Sequence, residues 1–299
     1  MTSSSAQHFA HATPDALIIG HVTRDLTPNG WRLGGAAYYA ARAASLRGLS
    51  VAALTSADGE VAAAARAALP GVTLRIVPAD VSTTFENVYH DGARTQFLRA
   101  VASPLRAQDI PAAWLAAPVA LLAPVAGEVD PDIVAALSPV TRVGLAPQGW
   151  LRAWDASGAV QPVPLEPAGR EALSHCQAVI LSRDDLGGNG ASPAARQRVD
   201  TMLGDWAGDV ACLVITRGWE GAEVWHDSRR SLVPGFPARE VDPTGAGDVF
   251  AVTFLCALAD GSTPEGAARE ANAVAACSVE GEGASAIPTP AAARGRFGL

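Results

Sequence analysis

Residues 242–259 read Asp-Pro-Thr-Gly-Ala-Gly-Asp-Val-Phe-Ala-Val-Thr-Phe-Leu-Cys-Ala-Leu-Ala. The second half is an apolar run of helix length, and Gly261 supplies a stop just beyond it. The first half is a turn of glycines and small residues leading straight into that helix. A helix that starts this way leaves several backbone N–H groups unpaired, and the macrodipole adds about half a positive charge there. The result is a nest for anionic oxygens, with Gly245 and Gly247 allowing close backbone approach. Asp248 falls in the first helical turn, where an acid commonly serves as a cap or dipole partner. A carboxylate beside such a nest also repels a bound phosphate unless it takes up a proton. That combination is expected of a general base next to a transferring phosphoryl group.

Outward from this segment, short apolar runs alternate with Ala-rich stretches. Residues 16–19, 51–54, 74–77, 119–122, 178–181 and 213–216 read as buried strands. Residues 36–47, 60–69, 132–137, 196–206 and 249–259 read as helices. The alternation predicts an α/β fold, a mostly parallel central sheet with helices on both faces. Ligands in such folds bind beyond the carboxyl ends of the strands. Two stretches break the pattern: 22–33, with a Pro28-Asn29-Gly30 turn, and 83–101, with an Asp91-Gly92 turn between Thr- and aromatic-rich arms. Both are predicted hairpins forming a small β-lid. The Ser/Ala/His-rich residues 1–14 are expected to be a disordered tail, and 15–299 a single domain.

The 299 residues contain 22 Lys+Arg, and every one is arginine. A Walker P-loop, a protein-kinase site and a Schiff-base site each require a lysine, so all three are excluded. A NAD-dependent Rossmann site is disfavoured because no GxGxxG follows the first strand. A net charge of −8 argues against a nucleic-acid partner. No window approaches the roughly 20 apolar residues of a membrane span, so no membrane partner is expected. Cys176, Cys212, Cys256 and Cys277 lie far apart without metal-type spacing. They read as free thiols in a reducing compartment, which predicts a cytoplasmic location. His8 and His11 are the only close pair of histidines and fall in the tail, so no histidine is assigned a catalytic or metal role.

Several segments together resemble the PfkB/ribokinase family of small-molecule kinases. DPTGAGDVF (242–250) is similar to its second signature, and Gly34-Gly35 before the Ala-rich 36–47 to its first. Gly20-His-Val-Thr-Arg-Asp25 resembles its opening strand. Ser182-Arg-Asp-Asp185 falls where the family has Asn-x-x-Glu near Mg²⁺. Thr216-Arg-Gly-Trp-Glu-Gly221 resembles its Thr-x-Gly-x-x-Gly phosphate loop, and 272–278 its small-residue helix beside adenine. Within the family, the Leu33–Ala37 start, the Thr83-Thr84 pair, Gln148, Leu151-Arg152 and Trp154-Asp155 resemble the myo-inositol kinases.

The resemblance implies a ribokinase-like fold and an ATP- and Mg²⁺-dependent kinase acting on a hydroxyl of a small polyol or sugar, with a cyclitol foremost. Asp248 would be the base, and the N–H groups of Gly245, Ala246 and Gly247 would hold the developing charge. Asp25, Gly34, Gly35, Gln148 and Arg152 would bind substrate, and Ser182, Thr216, Gly218, Gly221 and Asn272 would bind ATP. Asp185, one methylene shorter than the family's Glu, would contact Mg²⁺ through water. Asp242, with Thr244, would help hold a monovalent cation such as K⁺. Tyr38 or Tyr39 stands where the family often has Asn. Arg24 and Arg183 are further candidates for reaching phosphate, while Trp150, Trp154, Trp219 and Trp225 are assigned to core or rim packing. The rival readings are a nucleoside kinase of the same fold and a catalytically silent member acting as a binding protein. A monomer or a homodimer fits equally.

Overall fold

Short runs of apolar residues with no polar interruption suit strands buried on both faces, and they form the centre of this protein. The computed structural model describes residues 12–90, 93–137, 139–187 and 192–299. Most of the expected tail and the Asp91-Gly92 turn lie outside the described residues. The first strands are β1 (Ala16–Ile19), β2 (Thr23–Thr27), β3 (Gly30–Gly34), β4 (Val51–Ala57) and β5 (Val72–Pro78). Next come β6 (Thr84–His90), β7 (Ala93–Ala100), β8 (Val119–Leu122), β9 (Arg142–Leu145) and β10 (Arg152–Trp154). The last are β11 (Val160–Pro162), β12 (Ala178–Ser182), β13 (Cys212–Thr216), β14 (Gly221–His226) and β15 (Arg229–Pro234). The helices are α1 (Ala36–Leu46), α2 (Gly59–Ala68), α3 (Ile133–Ala136), α4 (Pro167–Ser174), α5 (Pro193–Asp209), α6 (Ala246–Ala259), α7 (Pro264–Ser278) and α8 (Pro290–Phe297).

Among the described residues, nine strands make one sheet in the order β15-β14-β13-β12-β9-β8-β1-β4-β5. All pairs from β13 to β5 are parallel, and β14 and β15 add an antiparallel edge. Side chains alternate between faces along each strand. Ala16 and Ile18 of β1 join one apolar layer with α1, α6 and α7, while Leu17 and Ile19 join the other with Trp114, Leu203 and Trp206. Helix α6 is apolar all round and buried from Val249 to Ala257, as expected of a helix wedged between a sheet and two other helices. This is the expected α/β architecture. Helix α3 is a single turn, shorter than the expected 132–137, since Pro139 lies just beyond it. No helix among the described residues is long and apolar enough to cross a membrane.

A second sheet, β3-β2-β6-β7, contains both predicted hairpins, joined by parallel pairing of β2 with β6. A two-stranded ribbon, β10–β11, leans on its edge. The Leu98 N–H donates to the Gly158 carbonyl at 2.8 Å, and Phe97 bridges Ala159. Where β1 leaves the large sheet for this lid, the fully buried His21 ties the crossing together. Its Nε2 donates to the Ser103 carbonyl at 3.0 Å, which leaves Nδ1 to accept from the Thr83 hydroxyl at 2.6 Å. The buried Glu128 carboxylate accepts from the N–H groups of His21, Val125 and Ala126. Lid and sheet therefore meet through a fully paired polar knot.

The entry to α1 allows no side chain. Gly35 has φ +88°, and a Cβ there would lie 2.3 Å from the His21 carbonyl oxygen. Gly48 has the same φ but open space around it. Gly48→Ala is expected to cost about 1–2 kcal/mol for its backbone alone. Gly35→Ala should cost that and roughly 1–3 kcal/mol more for the clash. Urea midpoints of the two variants check this, and equal midpoints would contradict it.

Candidate active site

A cavity of about 870 Å³ opens at the carboxyl ends of the parallel strands, between the large sheet and the lid. Pro124 and Val125 after β8, Ala146 and Gln148 after β9, and Ser182 and Asp185 at the end of β12 line its floor. Thr216 and Gly218 extend that wall from β13. The lid contributes Asp25 and Phe85, and the start of α6 forms the remaining side. Among the described residues, strand ends, lid and helix start converge at this cavity, and most of the sequence-predicted residues line it.

At the start of α6, Gly245 takes the left-handed conformation with φ +81°. A Cβ on it would lie 2.3 Å from the Tyr39 ring, so the phenol packs flat against the loop backbone. The expected trio of N–H donors is altered here. The Ala246 N–H closes a turn onto the Pro243 carbonyl at 3.2 Å, so it already has a partner. The N–H groups of Gly245, Gly247 and Asp248 donate to no described residue, so Asp248 stands in for Ala246 among the open donors.

Asp248 opens onto the cavity and is otherwise enclosed by protein. That loss of water pushes its pKa up to about 7; the Asp185 and Asp25 carboxylates push the same way, while Arg152 opposes them. Asp25 accepts from the Thr23 hydroxyl at 2.7 Å, and Gly34 packs against its carboxylate, where a Cβ would come within 2.1 Å. Gly34 thus makes room for Asp25 without lining the cavity, whereas Gly35 does line it.

Asp185 is held by three donors. Its Oδ2 accepts from the N–H and hydroxyl of Ser182 at 2.8 and 2.9 Å, and its Oδ1 from the Gln148 amide at 2.7 Å. The Gln148 amide nitrogen, expected to meet substrate, is therefore committed to Asp185. Among the described residues no three His, Cys, Asp or Glu side chains converge to cage a metal. A carboxylate already accepting three hydrogen bonds fits a Mg²⁺ that keeps its waters and rides on phosphates. Asp242 is committed elsewhere: Arg32 from β3 reaches it at 2.8 Å.

On the far side, Phe236, Ala275, Ala276 and Val279 form an apolar slot. Asn272 of α7 lines the cavity there and donates to the Val233 and Pro234 carbonyls, both at 3.1 Å. Gly221 has φ +103°, and a Cβ on it would meet the Val233 oxygen at 2.2 Å, so β14 and β15 close up beside the slot. Trp219 stands at the rim, 85% exposed. Arg24 and Arg183 do not line the cavity; they pair with Asp58 and Glu60, and with Asp200 and Glu223. Arg152 does line it.

Sequence reasoning missed what Tyr39 and Arg32 do. The Tyr39 hydroxyl is buried with no hydrogen-bond partner among the described residues, and Tyr39 lines the cavity. Burial, reinforced by Asp25, raises its pKa, so it stays a neutral donor. The signal was present in Tyr38-Tyr39, two phenols in an otherwise Ala-rich helix. Arg32 sits directly opposite Asp25 in the β2–β3 hairpin, a pairing visible once the Pro-Asn-Gly turn is placed.

Comparison with known proteins decides the family. The pfkB family carbohydrate kinase profile matches residues 156–292. An inositol 3-kinase of Oryza sativa subsp. japonica is 30% identical over 295 residues, 92% of this chain and 70% of that one. The chain belongs to the pfkB family of carbohydrate kinases. An inositol 3-kinase of Arabidopsis thaliana is 28% identical over 215 residues, 69% of this kinase and 57% of that protein. The structure of a pyrophosphate-dependent myo-inositol-1 kinase converted into a myo-inositol-3 kinase superposes with a TM-score of 0.77 at 18% identity. It covers 95% of this chain and 100% of that one, which shows the shared ribokinase-like fold. This kinase is accordingly a phosphotransferase with an alcohol acceptor.

The cavity electrostatics are open to direct measurement. In the free kinase the Asp248 carboxyl carbon should titrate near pH 7 by NMR. Arg152→Met removes the one opposing positive charge and should move that midpoint upward. A midpoint in the ordinary carboxylate range near 4, or a downward move in the variant, would contradict the arrangement.

Proposed function

We propose that this kinase transfers the γ-phosphoryl group of ATP to a hydroxyl of a cyclitol, with myo-inositol the substrate that its relatives' names favour. The observation that carries this reading is Asp248: a desolvated carboxyl with a pKa of about 7, at a helix start whose N–H groups are open. Asp248 takes the proton from the attacking hydroxyl, and the N–H groups of Gly245, Gly247 and Asp248 receive the charge that develops on the transferring group. Asp25 accepts from the substrate's other hydroxyls, a role that suits a polyol with donors on every ring carbon. Tyr39 donates its otherwise unpaired hydroxyl to an oxygen of substrate or phosphate.

Mg²⁺, when bound with the phosphates, supplies charge neutralisation, and Asp185 would hold its waters. Ser182, Thr216, Gly218 and Gly221 border the phosphate side, and Arg152 adds a positive charge to the cavity lining. ATP is favoured over pyrophosphate by the apolar slot of Phe236, Ala275, Ala276 and Val279, which a purine fills and a pyrophosphate leaves empty. Comparing the two donors with inositol, hexoses and nucleosides as acceptors, and identifying the products, tests this reading; phosphorylation of nucleosides alone would replace it.

Three outcomes are expected. Asp248→Asn should fold and bind ATP while losing about 10²- to 10⁴-fold in turnover; near-normal turnover would sink the mechanism. The base must be ionised to act, and its pKa is raised, so kcat/KM for the polyol should fall about tenfold per pH unit below pH 7. A profile flat down to pH 5 would contradict it. Tyr39→Phe keeps the ring against Gly245 and should lose roughly 1–3 kcal/mol of binding or transition-state energy, read in steady-state kinetics.

A further inference from the structure

Family resemblance puts a monovalent cation beside Asp242, but the carboxylate is already surrounded. Its Oδ1 accepts from the Thr244 N–H at 3.0 Å, and its Oδ2 from the Gly283 N–H at 3.2 Å. The Arg32 guanidinium adds a charged donor to Oδ2 at 2.8 Å, and its second arm donates to the Thr244 hydroxyl at 3.3 Å. Three donors and a permanent positive charge occupy the group expected to ligate K⁺. A second cation at that carboxylate would face direct repulsion from the guanidinium. The residues at Asp242 therefore do not fit the cation.

The pair has the position to do the cation's work. The Asp242 side chain is only 11% exposed and opens the loop that ends in Gly245–Asp248, while Arg32 comes from the lid, 210 residues away in sequence. In the hairpin Arg32 lies opposite Asp25. A fork that grips Asp242 and Thr244 together fixes the loop before α6 in both position and orientation. A bound metal ion would fix it from within the loop, whereas Arg32 fixes it from the lid.

We propose that Arg32 is a built-in cation, a positioning residue that holds the 242–248 loop in its anion-binding shape, so that phosphoryl transfer by this kinase needs no K⁺. This rests on the phosphotransfer reading of the same loop, and the test separates the two. Turnover of the full-length kinase is measured in potassium chloride and in tetramethylammonium chloride at matched ionic strength. Equal rates are expected; a rate several-fold higher in potassium overturns the proposal while leaving the kinase reading intact. Absence of turnover in both salts with every acceptor and donor refutes the phosphotransfer reading, and with it this inference.

Arg32→Ala should lower kcat about 10- to 100-fold, the scale of a misplaced reacting group. Its affinity for a non-hydrolysable ATP analogue and its melting temperature should change far less. Added guanidinium ion should restore part of the lost rate, and Arg32→Lys should keep part of it through charge alone. Rescue by guanidinium is a readout that a purely structural role would not move. An Arg32→Ala protein with wild-type kcat, or one that no guanidinium concentration rescues, would overturn the assignment. Should that variant fail to fold, the salt comparison on the unaltered kinase still decides.

Discussion

Gly35 lies so close to the His21 carbonyl, and Gly245 so close to the Tyr39 ring, that neither position tolerates a methyl group. These two contacts place Asp248. The first clamps α1 against the end of β1, and Tyr39, one turn into α1, then serves as the surface on which the loop before α6 rests. Helix α6 is held along the rest of its length by apolar packing on every side. Position is thus passed from the central sheet to the reactive carboxyl through rigid groups, with no flexible side chain in between. Rigid support of this kind matters because misplacement by about 1 Å can remove a hundredfold in rate.

The charge arrangement follows from that placement. Asp25, Asp185 and Asp248 face one cavity, and Arg152 is the cation that acts on Asp248. Such a cavity repels free phosphate. A divalent cation arriving with the phosphates would offset that repulsion while Asp248 stays ionised, as a base must be before it takes a proton. The absence of lysine fits this design, in which backbone N–H groups and arginines hold fixed positions. Arg24, Arg183 and Arg217 are drawn into ion pairs with Asp58, Glu60, Asp200, Glu220 and Glu223.

The large sheet was legible because parallel strands must be apolar on both faces, and β1, β4, β8, β12 and β13 all show this as continuous runs. β9 was not, since Arg142-Val-Gly-Leu145 is short and its glycine is needed where Leu255 packs against the strand. The antiparallel edge β14–β15 was missed because it mixes Glu, Trp, His and Arg, with β15 mostly exposed and Glu223 of β14 buried against arginines. The candidate site residues lay within motifs whose spacing is local, so most could be named. What sequence did not reveal were partners distant along the chain: Gln148 with Asp185, and Arg32 with Asp242. Hydrogen-bond commitments of this kind depend on the fold, and they redistribute roles among residues already suspected.

The ribbon leaning on the lid has a mechanical meaning. Its strand β10 begins at Arg152, and its connecting residues are hydrogen-bonded to β7, with the Arg99 guanidinium also reaching the Ser157 carbonyl at 2.9 Å. The tether joins the lid sheet to the strand that carries Arg152, the cation that acts on Asp248. The charge that lowers the proton affinity of that carboxyl is therefore anchored to the lid as well as to the cavity wall.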